Sequence, residues 1–276
     1  MSNFQEKIID GRKLSLQMLV DIRQKVLKLD QTPGLAVLLI GDDPSSHLYV
    51  KLKKKACEDC NIDFHRYLFN AHTPEDEIVK VIEFLNNDPD TTGILVQLPL
   101  PEGYNTDRII GAIDPNKDVD GFHPVNLENI KQCNLKIVSP LVLGIVELIK
   151  STGEVIENKK ITILCNHKIF GEPFHCFFDA SNTIDIVTLE DADYQEKVAT
   201  ADILVVSIGK QQFITAEMIK QDAIIIDVGI NKVNDEIFGD VDFESVISKV
   251  KYITPVPGGV GPMTISLLLE NLIKLM

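Results

Sequence analysis

The sequence predicts an α/β protein of two domains with parallel sheets, on three observations. Short apolar runs rich in β-branched residues recur at positions 34–40, 93–96, 161–164, 184–187, 203–206 and 223–228. Stretches with helical apolar spacing separate most of them, the pattern of strand–helix–strand crossovers. The chain has 276 residues, enough for two modest cores rather than one oversized unit.

Taken in order, Ile8, Ile9, Leu14, Met18, Leu19, Ile22, Val26 and Leu27 recur at helical spacing and predict one long amphipathic helix. Residues 34–40 read as a buried strand. Gly41-Asp42-Asp43-Pro44 turns the chain, and Ser45 or Ser46 is the expected cap of a helix through Cys60. Another helix is expected over 75–85. Gly93-Ile94-Leu95-Val96 suits a central strand covered on both faces. Residues 114–126 are rich in turn formers and read as a loop. Val142, Ile145, Val146 and Ile149 share an apolar stripe, which predicts a linking helix over 141–149. The four later runs form a doubly wound, Rossmann-like domain. The apolar segment 265–275 follows a Pro/Gly-rich loop and is expected to return to the first domain as a helix. The resulting divisions are 1–140, 141–262 and 263–276.

Composition narrows the function. Apolar residues make up 45% and charged residues 25%, an ordinary globular balance. No stretch approaches the roughly 20 apolar residues of a membrane span, and the opening residues lack a secretory pattern, so a cytoplasmic location is the expectation. The net charge is −14 with no long basic block, which speaks against nucleic-acid binding. Cys57 and Cys60 sit at a CxxC spacing on the predicted second helix with no second pair, and read as packing thiols. The six histidines make no dense cluster, so no metal is expected.

Several segments carry possible chemistry. Tyr49 and Lys53 are four positions apart and project from one helical face. A lysine needs help to move protons near neutral pH, since its reference pKa is about 10.4. Desolvation and the neighbouring Lys51, Lys54 and Lys55 would favour its neutral form; a solvated lysine run is the plainer reading. Gln97 ends the strand 93–96 at its carboxyl end, where such sheets place ligands, and could hold Lys53 or cap loose backbone groups. Asp118 and Asp120 could each accept paired N–H donors from an aminopyrimidine-type ring, or brace the turn. Pro257, Gly258 and Gly259 allow close approach of a ligand or of backbone, and Thr264 is a plausible helix cap.

Together these segments resemble the bifunctional methylenetetrahydrofolate dehydrogenase/methenyltetrahydrofolate cyclohydrolase family over nearly the whole chain. The specific matches are Tyr49-Val50-x-x-Lys53-x-Lys55-Ala56, Gly93-Ile94-Leu95-Val96-Gln97-Leu98-Pro99-Leu100-Pro101, Lys117-Asp118-Val119-Asp120-Gly121-Phe122-His123-Pro124 and Pro257-Gly258-Gly259-Val260-Gly261-Pro262-Met263-Thr264. The resemblance implies that Lys53 is the central catalytic residue, that Tyr49 stacks on the folate, that Gln97 orients Lys53 and that Asp120 contacts the pterin. Val96, Leu98, Pro257, Gly258 and Gly259 complete the implied pocket for tetrahydrofolate derivatives. It further implies NADP as cofactor and a homodimer built through the second domain. A first domain of 1–140 would bind folate and carry catalysis, and 141–262 would bind the nucleotide.

The nucleotide side departs from that pattern. The family's Gly-Arg-Ser-x-x-Val-Gly-x-Pro is here Cys165-Asn166-His167-Lys168-Ile169-Phe170-Gly171-Glu172-Pro173, which keeps Gly171 and Pro173 but not the first glycine, the arginine or the serine. Asn166 lacks the cationic fork of arginine. Glu190 and Asp191 follow the next strand, where they would repel a 2′-phosphate and suit ribose hydroxyls, so NAD or weak nucleotide binding is the competing expectation. Ser207, Gly209 and Ile230 retain the family's cofactor-side landmarks.

Overall fold

The computed structural model describes residues 4–234 and 236–276. The chain divides into two compact units, one of residues 15–140 with 265–276, the other of 141–264 together with the N-terminal segment through Leu14. The expected first domain of 1–140 therefore cedes its opening residues to the other unit. The chain passes between units inside three helices, α1 (Gly11–Val26), α6 (Pro140–Ser151) and α9 (Val260–Lys274).

The first unit is built on a three-stranded parallel sheet of order β2-β1-β3, with β1 at Gly34–Ile40, β2 at Asp63–Phe69 and β3 at Gly93–Val96. Along β1, side chains alternate between faces, as a strand requires. Leu35, Val37 and Leu39 enter one apolar cluster with Ile22, Cys57 and Leu272. Ala36, Leu38 and Ile40 enter the other with Ile78, Ile82 and Leu85. Those partners come from α1, α2 (Pro44–Cys60), α3 (Glu75–Asn87) and the last helix, α9. Burying each Leu or Ile stabilises by about 1.5–3 kcal/mol relative to exposure. The strand β3 is an edge strand, not a central one. Its four residues are nonetheless buried, and its open side is covered where Ile94 N–H donates to Lys117 O at 2.7 Å. Two short helices, α4 (Thr106–Gly111) and α5 (Pro124–Lys131), complete the unit. The loop expected to run to 126 ends earlier, because His123 caps α5 through its Nδ1.

The second unit holds a five-stranded parallel sheet of order β10-β7-β6-β4-β5, the doubly wound arrangement expected. Its strands are β4 (Lys160–Cys165), β5 (Thr183–Val187), β6 (Ile203–Ser207), β7 (Ile224–Asp227) and β10 (Tyr252–Ile253). The helices α7 (Tyr194–Thr200) and α8 (Phe243–Val246) and a hairpin of β8 (Asn231–Val233) with β9 (Glu236–Phe238) fill the connections. Between β4 and β5 there is no α-helix, only two 3-10 turns at Lys168–Phe170 and Glu172–Cys176.

Other expectations change locally. The opening helix starts at Gly11, because Ile8 bridges Ile253 and Ile9 N–H donates to Ile253 O at 2.8 Å, extending the sheet edge instead. Asp43, not a serine, caps α2: its carboxylate accepts from Ser46 N–H at 2.7 Å, with Pro44 in the first turn. The last helix starts at Val260, so Thr264 lies inside it and donates back to Gly261 O rather than capping. No helix among the described residues is long and apolar enough to cross a membrane.

Candidate active site

The carboxyl end of β3 places Gln97 beside the face of α2 that carries Tyr49 and Lys53. Gln97 N–H continues the ladder to Leu38 O at 2.9 Å, which fixes its backbone. Its side-chain Nε2 donates to Leu98 O at 2.7 Å, leaving Oε1 to accept from Lys53 Nζ at 2.9 Å. The amide is thus oriented by its own backbone, and both ends are used. Burial lowers the Lys53 pKa, while the negative fields of Asp120 and Cys57 oppose the shift. The neighbouring lysines contribute differently from expectation. Lys54 and Lys55 are paired with Glu58 and Asp59 one turn on, and burial is what favours the neutral amine. Burial likewise raises the Tyr49 phenol.

The structure separates the two aspartates that residue type alone left equivalent and of which the resemblance singled out Asp120. Asp118 is buried and braces the turn, accepting from Asp120 N–H at 3.1 Å, Gly121 N–H at 3.0 Å, His123 N–H at 2.8 Å and Asn126 Nδ2 at 2.9 Å. Asp120 is only partly buried and interacts electrostatically with Lys53. Its pKa is pushed up to about 6 by burial, with Lys53 pulling it down and Asp118 adding to the rise. From the last helix, buried Asn271 donates to Val119 O at 3.0 Å and Val138 O at 2.8 Å, holding the backbone on either side of this turn. That clamp was not visible in the sequence. Val96 is buried at the end of β3 and Leu98 is partly exposed beyond Gln97, joined to Pro99 by a cis peptide bond. Tyr49, Lys53, Val96, Gln97, Leu98 and Asp120 therefore belong to one compact unit. Cys57 and Cys60 are buried thiols whose pKa values burial pushes up to about 12 and about 11, which suits packing rather than redox chemistry.

Pro257, Gly258 and Gly259 lie in the other unit, on a tight turn. Gly258 has φ +114 and its carbonyl accepts from Arg12 N–H at 3.0 Å, while a Cβ on Gly259 would stand 2.6 Å from Thr254 Cβ. These glycines are thus required by backbone packing, whatever else they meet.

On the nucleotide side, Cys165 is buried at the end of β4 and its thiol donates to His167 O. Asn166 Nδ2 donates to Ile208 O at 3.1 Å, and His167 is exposed. Gly171 packs on β5, since a Cβ there would stand 2.6 Å from Ile186 Cγ2, and Pro173 is buried beside it. Glu190 is exposed. Asp191 turns back to accept from Thr188 N–H at 2.7 Å and from Lys168 Nζ at 2.9 Å, contacts that lower its pKa to about 2. Ser207 ends β6 partly exposed, Gly209 has φ +63 with open space where a Cβ would stand, and Ile230 is exposed. These open strand ends fit the nucleoside parts of a dinucleotide. Beside them Lys168 is paired with Asp191, and exposed Glu190 adds a further negative charge. Among the described residues, no group of three or more His, Cys, Asp or Glu could hold a metal ion.

Comparisons with known proteins show the family and the fold. The catalytic domain of the tetrahydrofolate dehydrogenase/cyclohydrolase family matches residues 9–120, and its NAD(P)-binding domain matches residues 140–276. The bifunctional protein FolD of Nitratiruptor sp. is 44% identical over 274 residues, covering 97% of each chain. The crystal structure of the bifunctional FolD of Campylobacter jejuni superposes with TM-score 0.93 at 38% identity, covering 97% of each chain. The Trypanosoma brucei methylenetetrahydrofolate dehydrogenase-cyclohydrolase, solved with NADP and an inhibitor, gives TM-score 0.91 at 30% identity over 97% of this chain and 96% of that one. The chain belongs to the tetrahydrofolate dehydrogenase/cyclohydrolase family.

Proposed function

We propose that the protein oxidises 5,10-methylenetetrahydrofolate to the 5,10-methenyl cation with a nicotinamide dinucleotide, and hydrolyses that cation to 10-formyltetrahydrofolate. The observation that carries the hydrolytic half is the 2.9 Å hydrogen bond from Lys53 Nζ to Gln97 Oε1, on an amine that burial makes easier to deprotonate. In that step water adds to the amidinium-like carbon, and neutral Lys53 accepts the first proton the water releases. The resulting ammonium then gives that proton to the ring nitrogen as its bond to the carbon opens, and the carbinol hydroxyl releases its own proton to solvent as it becomes the formyl carbonyl. Gln97 keeps Nζ in place through both transfers, and Asp120 accepts N–H donors of the pterin. Tyr49, Val96 and Leu98 supply apolar cover for the ring. In the redox half the nicotinamide, when bound, accepts the hydride. Ser207, Gly209 and Ile230, with residues of the 165–173 segment and Glu190, are the groups proposed to meet it.

The NADP bound by the Trypanosoma brucei relative supports a dinucleotide here. The Lys168–Asp191 pair and exposed Glu190 favour NAD over NADP. The same pair, with no α-helix between β4 and β5, favours a second reading, a cyclohydrolase with weak or lost dehydrogenase activity. A homodimer acting in the cytoplasm completes the proposal by family resemblance. Absorbance assays separate the readings. Loss of the methenyl chromophore without nucleotide reports hydrolysis, and reduced nucleotide from methylenetetrahydrofolate, compared for NAD and NADP, reports oxidation. Hydrolysis with no reduced nucleotide at saturating cofactor selects the second reading; neither activity overturns both.

A further inference from the structure

Asp240 has no role in the reaction above, yet it is fully buried in the second unit and its carboxylate organises the carboxyl end of β6. Its Oδ2 accepts from Ile208 N–H at 2.7 Å and Gly209 N–H at 3.0 Å, and its Oδ1 from Lys210 N–H at 2.9 Å and Asn231 Nδ2 at 2.8 Å. Three successive backbone N–H groups turned to one anion form the nest that elsewhere receives phosphate. Here a side chain of the protein fills it. A buried carboxylate is costly unless its lone pairs are used, and four donors use them.

A second carboxylate locks the first. Asp227, at the end of β7, accepts from Gly229 N–H at 2.9 Å, Asp240 N–H at 3.0 Å and Val241 N–H at 3.0 Å. Two glycines admit the pair. A Cβ on Gly229 would stand 2.3 Å from Asp240 Cγ, and one on Gly239 would stand 1.9 Å from Asp227 Oδ2. The segments after β6, after β7 and before α8 are thereby tied together at the sheet end where doubly wound folds bind ligands. The held turn leaves Gly209 open and Ser207 partly exposed.

We propose that Asp240 is a positioning residue for the nucleotide, holding the Ile208–Gly209–Lys210 turn in the shape that presents Ser207 and the open face of Gly209 to it. The turn's N–H groups are taken by the internal carboxylate, so the nucleotide meets this turn through uncharged groups rather than through a phosphate. This rests on the redox half of the proposed function. The hydrolytic side chains belong to the other compact unit, so hydrolysis serves as an internal control.

The test uses the full chain with Asp240→Asn, and with Asn231→Ala as a milder variant that removes one donor and keeps the carboxylate. Dissociation constants for NADH and NADPH are measured by nicotinamide fluorescence, KM and kcat for nucleotide in the dehydrogenase assay, and amide exchange at residues 208–210. For Asp240→Asn the expected result is a rise of about ten- to hundredfold in nucleotide Kd and KM. Exchange at 208–210 should be faster, with kcat changed less than KM and hydrolysis retained. Asn231→Ala should move the same quantities in the same direction by less, and it decides the matter if Asp240→Asn does not fold. Faster exchange with unchanged nucleotide Kd and KM would make Asp240 a brace only and overturn the inference alone. A wild-type protein with no affinity for either nucleotide would overturn the redox reading, and this inference with it.

Discussion

At the carboxyl end of the three-stranded sheet, polar groups are left with chemistry to do. At the corresponding end of the five-stranded sheet they are mostly consumed by one another. Lys53 has one hydrogen-bond acceptor in Gln97 and an opposing charge in Asp120, so its amine keeps the capacity to exchange a proton. By contrast Lys168 is held by Asp191, Asn166 by a backbone carbonyl, and the N–H groups of 208–210 by Asp240. Under the proposed function, one site would work by ionisable groups in a partly buried setting, and the other by shape and neutral contacts.

The largest effect expected from breaking that contrast is at Lys53. Lys53→Ala should lower hydrolysis by about 10²–10⁴-fold, the usual range for removing a general acid–base group. The thermal midpoint should stay near wild type, since the amine is not a packing element. Stopped-flow decay of the methenyl absorbance measures the rate, and near-normal turnover would sink the assignment. Gln97→Leu keeps Lys53 and removes its acceptor. A fall of about ten- to hundredfold in kcat is expected, with a smaller change in KM. A change confined to KM would make Gln97 a binding residue instead.

Asp120 sharpens the comparison through pH. Its free-enzyme pKa of about 6 is set by burial against the Lys53 charge. Folate N–H donors need the ionised carboxylate, so the folate KM should rise as pH falls through about 6, approaching tenfold per unit below it. In Asp120→Asn the KM should be raised and flat over that window. In Lys53→Met the Coulombic pull on Asp120 is gone, and the midpoint should move upward, read from binding of a folate analogue. A downward move would mean that Lys53 does not stabilise the Asp120 charge.

Much of this was legible in the sequence, for physical reasons. Fully buried parallel strands are written as unbroken apolar runs, which is why β1, β3, β4, β6 and β7 were visible. The strand β2 was not, because Asp63–Phe69 is an edge whose His65 and Arg66 are exposed. Lys53 and Gln97 were paired in advance because helical spacing and the strand-end rule each point at one place. Residue type alone could not tell Asp118 from Asp120, since two aspartates in one turn differ only in which way the folded backbone aims them; only the family resemblance singled out Asp120. Ile8 and Ile9 fit a helical stripe equally well, and only the bond to Ile253 decides for an extended segment. The Asp227–Asp240 lock joins residues far apart in sequence. Its trace was a pair of glycines, Gly229 and Gly239, that fit turns just as well.

The smallest expected effect tests whether the five-stranded sheet really discriminates by charge. Asp191 lies on the surface, where a lysine pair is screened by water and salt, so its removal should act on preference rather than on folding. In Asp191→Asn the partner is neutral, Lys168 is released, and one repelling charge is gone from the corner after β5. The ratio of kcat/KM for NADP over NAD should then rise by roughly three- to tenfold at low ionic strength. The gain should shrink as salt is added, because a freed surface cation attracts a 2′-phosphate only through screened solvent. Glu190 remains in the variant, so a complete reversal of preference is not expected. A ratio unchanged at every salt concentration would show that the 188–191 corner does not face the 2′ position. The contrast between the two sheet ends would then rest on the 208–210 turn and on Asn166.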